Sequence, residues 1–193
     1  MSVKSQTIAE AIWPASNSQA WGRFGALAFG GALLLAASAK LQIPFYPVPM
    51  TLQTLAVLAL GAAFGLRLAT ATVALYLVEG LFGLPVFAGA VAGPAYMFGP
   101  TGGYLVGFLV AAALVGWLAD RGAARSAARL AVVMSLGHVA IFACGFAWLA
   151  LALGADKAFA AGVAPFYAAT ALKTALGVAV VVAANRSLRR KPE

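Results

Sequence analysis

The chain has 193 residues, of which 63% are hydrophobic and only 9% charged, with a mean hydropathy of +0.95 and a net charge of +8. So small a globule cannot cover that much apolar side chain with itself, because its surface stays large relative to its interior; a water-soluble fold is excluded and lipid is the solvent. One cysteine (Cys144) and one histidine (His138) exclude a disulfide framework and a multi-ligand Cys/His metal centre within one chain.

Residues 1–20 are mostly polar and carry Lys4, Glu10, Pro14 and Asn17, with no apolar signal core behind a charged start. They are expected to remain as a cytoplasmic tail holding at most a short interfacial turn. A helix needs about 20 largely apolar residues to cross a hydrocarbon core about 30 Å thick. Six segments meet that need, at 21–41, 50–65, 68–82, 103–119, 128–153 and 165–187. Only Gly65-Leu66-Arg67 separates the second from the third. Two helices are favoured over one there, since 52–81 is too long for a single span and Arg67 would sit at its centre. The reading is an all-α membrane protein, six transmembrane helices in one bundle over 21–187, ending in a basic cytoplasmic tail at 188–193.

Lysine and arginine fix the orientation. Lys4, Arg23, Arg67, Arg121, Arg125, Arg129, Arg186, Arg189, Arg190 and Lys191 belong to the termini and the even-numbered connections, while only Lys40 and Lys157 flank the odd-numbered ones. The positive-inside rule then puts both termini in the cytoplasm, and the charge needs no nucleic acid to explain it. The first connection, Ile43-Pro44-Phe45-Tyr46-Pro47-Val48-Pro49, and the third, running from Gly83 to Gly103, lie outside and hold six of the nine prolines. Proline restricts φ and lacks an N–H, so both loops read as stiff lids over a helical bundle.

The remaining cation, Lys173, lies inside the last segment. A charge facing lipid near the bilayer centre costs about 2.5–3.5 kcal/mol on insertion scales, so Lys173 is expected to face a cavity or partner; snorkelling to the outer interface is the alternative. Phe166, Thr170, Lys173 and Gly177 share one helical stripe, offering an aromatic wall, a hydroxyl, a cation and a gap. A small amphiphile bearing a carboxylate or a urea-like carbonyl matches that set. Glu79, the only acid within a span, either pairs with Lys40 or Lys173 or lines the pocket, and Gln53 either meets a ureido group or is a wetted helix end. His138, mid-span, is read as hydrogen-bonded between helices rather than as a proton relay. Ala28, Ala32 and Ala36 form a small-residue ridge that serves internal packing or a partner helix.

No Gly-x-Ser-x-Gly elbow, His-Glu-x-x-His helix or cluster of intramembrane carboxylates is present, so the chain is not expected to be an enzyme. It also lacks a Gly-x-x-x-x-Gly-Lys-Ser/Thr cradle, so any energy from ATP must come from a partner.

The runs Ile43-Pro44-Phe45-Tyr46-Pro47-Val48-Pro49-Met50-Thr51-Leu52-Gln53-Thr54-Leu55, Gly83-Leu84-Pro85-Val86-Phe87-Ala88-Gly89 and Gly99-Pro100-Thr101-Gly102-Gly103-Tyr104 resemble the BioY family, the biotin-specific S components of energy-coupling factor transporters. The resemblance covers nearly the whole chain. It implies biotin captured from outside, with its rings against Phe87, Tyr104 and Phe166 and polar contacts from Thr170, Lys173 and Gln53. No cofactor is implied for this chain. The implied partners are a membrane-embedded coupling component and two ATPases, met through Ala28, Ala32 and Ala36; some family members are thought to act alone, possibly as homo-oligomers. One departure stands out. Where the family usually carries a Pro-Gly-Asp stretch before the lysine, this chain has Ala168, Ala169 and Thr170. A carboxylate holds the ureido N–H groups about twice as strongly as a neutral acceptor, so Gln53 or Glu79 compensates, affinity is reduced, or the ligand differs. An S component for another small vitamin and a solitary biotin facilitator remain the alternatives.

Overall fold

The computed structural model describes residues 7–13 and 20–189, so much of both expected tails, including Lys4, Pro14, Asn17 and residues 190–193, lies outside the described residues. A short helix, α1 (Ile8–Ile12), opens it. Thr7 and Glu10 close a capping box there: the Glu10 amide donates to Thr7 Oγ1 at 3.3 Å and the Thr7 amide to Glu10 Oε2 at 3.0 Å. Ile8 and Ala9 are buried against the bundle, so this part of the N-terminal segment is packed rather than trailing.

The long helices are α2 (Ala20–Lys40), α3 (Gln53–Leu81), α5 (Gly102–Asp120), α6 (Ala127–Leu153) and α8 (Tyr167–Arg189), with short α4 (Pro94–Met97) and α7 (Ala155–Gly162) between them. Among the described residues, five helical stretches are long and apolar enough to cross a membrane, the last of them joining α7 to α8. The aliphatic and aromatic side chains of these helices form one continuous core, with Leu35, Val57, Val73, Val115, Leu130 and Ile141 fully enclosed.

Helix α3 is a hairpin. Gly65 adopts φ 75° and ψ 178°, which ends one helical rod and starts another. A straight helix would separate residues 53 and 76 by about 35 Å at 1.5 Å per residue; instead the Gln53 amide donates to the Tyr76 hydroxyl. The corner requires glycine twice over. Its φ suits a residue without Cβ, and a Cβ at Gly65 would lie 2.2 Å from Asp120 Oδ1. That same carboxylate accepts the Leu66 amide at 3.0 Å, capping the returning rod from a different helix.

Because α3 doubles back, the chain runs up α2, down and up α3, down α5, up α6 and down α8. The N-terminal end of α2, the Gly65 corner, the α5–α6 connection and the C-terminal end of α8 therefore share one end of the bundle. Asn185 Nδ2, donating at 3.1 Å to the Ala124 carbonyl, ties α8 to that connection. The proline-rich loops share the other end.

The fold is not purely helical. Gln42–Ile43 and Met50–Thr51 pair as a two-residue antiparallel ribbon, Gln42 opposite Thr51 and Ile43 opposite Met50, so the helix expected from Met50 starts at Gln53. Three prolines in the intervening loop supply no amide hydrogens, and pairing at its base satisfies the flanking backbone instead.

Candidate functional site

Beneath the ribbon lies a cavity of about 40 Å³, lined by Val48, Pro49 and Thr51 from the first loop, Gln53 and Thr54 from α3, Tyr96 and Thr101 from the second loop, Tyr104 from α5, Phe142 from α6, and Phe166, Thr170 and Lys173. Five aromatic rings, Tyr96, Tyr104, Phe108, Phe142 and Phe166, line it. Phe166 packs on Phe45 and Phe142 at 6.2 and 5.9 Å between centroids, and Phe142 meets Tyr104 edge-on at 6.3 Å. Tyr104 is fixed by its hydroxyl, which donates to the Gly162 carbonyl at 2.7 Å. Such rings bury large apolar area while holding a defined shape.

Most of the polar side chains around it are committed. Lys173 Nζ donates to the Thr51 carbonyl at 2.7 Å, a bond between residues 122 positions apart that ties the last helix to the base of the first loop. Gln53 is engaged at both ends: its Oε1 accepts from Thr51 Oγ1 at 3.2 Å and its Nε2 donates to Tyr76, whose own hydroxyl donates to the Val86 carbonyl at 3.1 Å. One hydrogen-bonded chain thus joins both outer loops through Gln53 and Tyr76. Lys40 completes the second lid, donating to the carbonyls of Phe87 and Gly89 at 2.8 and 3.0 Å. Thr54 is different: its Oγ1 is buried with no hydrogen-bond partner, beside the cavity.

Five of the sequence-derived site residues, Lys173, Thr170, Gln53, Phe166 and Tyr104, come together around this cavity; Phe87 and Glu79 are not among its lining residues. Phe87 sits one layer behind. Its ring stacks on Tyr96 at 4.8 Å, meets Tyr76 edge-on at 5.4 Å and fills the space over Gly80, where a Cβ would be 2.0 Å from it. Tyr96 is the ring that reaches the cavity. The two lysines named as possible partners of Glu79 both donate to backbone carbonyls.

Ala28 and Ala32 are 5% and 0% exposed, covered by this chain's own helices, while Ala36 is half-buried against the core. His138 joins helices as expected, Nδ1 lying 3.2 Å from both the Met134 carbonyl and Thr174 Oγ1 of α8. Sequence reasoning missed Thr54, Tyr96 and Thr101. Thr54 follows Gln53 directly and was open to inference as a hydroxyl at the mouth of the same helix; the others lie in a loop without periodicity.

The sequence model of the BioY family matches residues 14–190. The chain belongs to the BioY family. Relatives include a probable biotin transporter BioY of Pyrococcus horikoshii, 35% identical over 147 residues that cover 76% of this chain and 86% of the relative. The biotin transporter BioY2 of Lactococcus lactis is 34% identical over 160 residues, covering 82% and 87%. A crystal structure of the S-component for biotin from an ECF-type ABC transporter superposes with a TM-score of 0.78 at 25% identity, covering 92% of this chain and 96% of that one. Family membership accounts for the non-enzymatic character and for a helical membrane bundle with loops gathered over one end.

Proposed function

We propose that this protein captures biotin and carries it across the cytoplasmic membrane as the substrate-specific component of an energy-coupling factor transporter. The observation that carries this reading is the ammonium of Lys173 held inside an aromatic cavity beneath two proline-rich lids, in a chain whose relatives are named biotin transporters. The bicyclic ring system packs against Phe166, Tyr104 and Tyr96, with Phe87 supporting Tyr96 from behind. A carboxylate or ureido oxygen takes the Lys173 ammonium, and Thr170 and the unpartnered Thr54 hydroxyl supply neutral contacts.

A cavity of about 40 Å³ holds one or two waters, so a vitamin is admitted only when the first loop lifts and Lys173 lets go of Thr51. The chain crosses the membrane six times in this reading, the two rods of α3 counting as separate short passes, with both termini in the cytoplasm where the arginine-rich end meets the positive-inside rule. A membrane-embedded coupling component and two ATPases supply the energy for tilting the bundle. Since Ala28 and Ala32 are covered, docking would use Ala36 together with the exposed side of α2, which carries Phe29 and Leu33.

Equilibrium dialysis of labelled biotin against purified protein tests the capture step. Saturable binding well below millimolar is expected; none up to that concentration sinks the reading. Uptake in cells lacking every coupling-factor gene then separates the two modes of action, persistence marking a solitary facilitator.

A further inference from the structure

A second concavity, about 900 Å³, opens at the end of the bundle opposite the lids, between α1, the start of α2, the Gly65 corner and the end of α5. Its rim carries four arginines from three parts of the chain: Arg23, Arg67, Arg121 and Arg125; its floor includes Phe24, Leu27, Phe64 and Leu68. The two acids in the lining, Glu10 and Asp120, are committed elsewhere, each accepting a backbone amide at a helix start. Among the described residues no arginine–carboxylate ion pair forms in this cleft.

Only Arg121 has an evident resting place, its guanidinium 3.5 Å above the Trp117 ring and its Nη1 donating to the Trp117 carbonyl. Arg23 Nε is buried and, among the described residues, has no acceptor. A buried donor left unmet is unfavourable, and four guanidinium groups against two carboxylates leave the concavity with an excess of positive charge until an anion enters. Guanidinium groups present planar forks that match phosphate oxygens two at a time. An apolar floor directly beneath them, at the end of a lipid-embedded bundle, suits a phosphate that brings acyl chains with it. Basic pockets between helices on this side of membranes bind anionic headgroups in this way.

We infer that this cleft holds the phosphate of one anionic phospholipid, gripped by Arg23, Arg67 and Arg125 with the first carbons of its chains over Phe24 and Leu68. A free phosphate shares the recognition chemistry, but leaves the apolar floor uncovered. The site is independent of the vitamin cavity and differs from diffuse attraction of a basic surface, since it takes one lipid rather than many.

Native mass spectrometry of the full-length protein in uncharged detergent tests it, with phosphatidylglycerol and phosphatidylcholine of identical chains as probes. One phosphatidylglycerol is expected to remain bound while phosphatidylcholine is stripped, and the double variant Arg23→Gln/Arg67→Gln should weaken retention about tenfold or more. Arg125→Gln, in the exposed connection, keeps the test alive if the double variant does not fold, with a severalfold loss expected. Equal retention of the two lipids, or variants that match the parent, overturns the inference. Inorganic phosphate raising the melting midpoint as much as phosphatidylglycerol would reassign the cleft to soluble phosphate and overturn the lipid.

Discussion

The two ends of the bundle solve opposite problems. Under the lids, a cavity of about 40 Å³ has most of its polar side chains bonded to another part of the chain, and one ammonium held on a backbone carbonyl. At the other end, a cleft of about 900 Å³ carries four guanidinium groups whose neighbouring acids are occupied with helix amides. The first is largely bonded to itself, with the Thr54 hydroxyl left over; the second keeps an excess of guanidinium charge. A site bonded to itself must break bonds to accept a ligand and so gains selectivity, whereas one with charge to spare gains stability when an anion of matching shape enters.

Breaking the contrast at its strongest point means removing the lid-end ammonium. Lys173→Ala should lower biotin affinity by tenfold or more, about 1.4 kcal/mol, measured by equilibrium dialysis. An unchanged dissociation constant would place Lys173 outside the ligand's reach. Of comparable size is Tyr76→Phe, which strands Gln53 Nε2 and the Val86 carbonyl and uncouples the two lids. It should reduce stability by about 1–3 kcal/mol, read as a lower melting midpoint in detergent, together with weaker biotin binding. A melt like the parent's would mean that the lids hold together without this chain of bonds.

At the other end, Asp120→Ala removes the acceptor for the Leu66 amide and should cost about 0.5–2 kcal/mol of stability, leaving biotin affinity alone. Loss of binding would show that the Gly65 corner is coupled to the cavity. The smallest effect sharpens the picture most. Thr54→Val deletes a hydroxyl that has no partner among the described residues, so stability should stay within about 0.5 kcal/mol of the parent while biotin affinity drops severalfold. A lower midpoint without a binding change would give that hydroxyl a structural task.

Much of this was legible because lipid makes apolar length and charge placement decisive. The hydropathy runs located α2, α5, α6 and α8 to within a few residues, and Arg67 forced a break where Gly65 turns the chain. The pairing of Thr170 with Lys173 on α8 was readable for the same reason, since helical spacing fixes which residues share a face; Phe166, in the tight turn just before α8, reaches the same cavity, and Gly177 does not line it. What the stripe meets was not readable, since the Lys173 contact on Thr51 depends on how distant helices pack. The second loop hid the choice between Phe87 and Tyr96, because only tertiary stacking decides which ring faces inward. Alanine spacing on α2 could not distinguish a surface ridge from an internal one; burial of Ala28 and Ala32 depends on α2 lying against the α3 hairpin.

The Thr51 carbonyl that holds Lys173 is an uncharged acceptor. A visitor offering an uncharged oxygen merely swaps one such acceptor for another, whereas a carboxylate makes a bond about twice as strong. Where the carboxylate of the vitamin is what takes Lys173, its esters and amides should compete with the main chain less well than the free acid does; where the ureido oxygen takes it, acid and ester should bind alike.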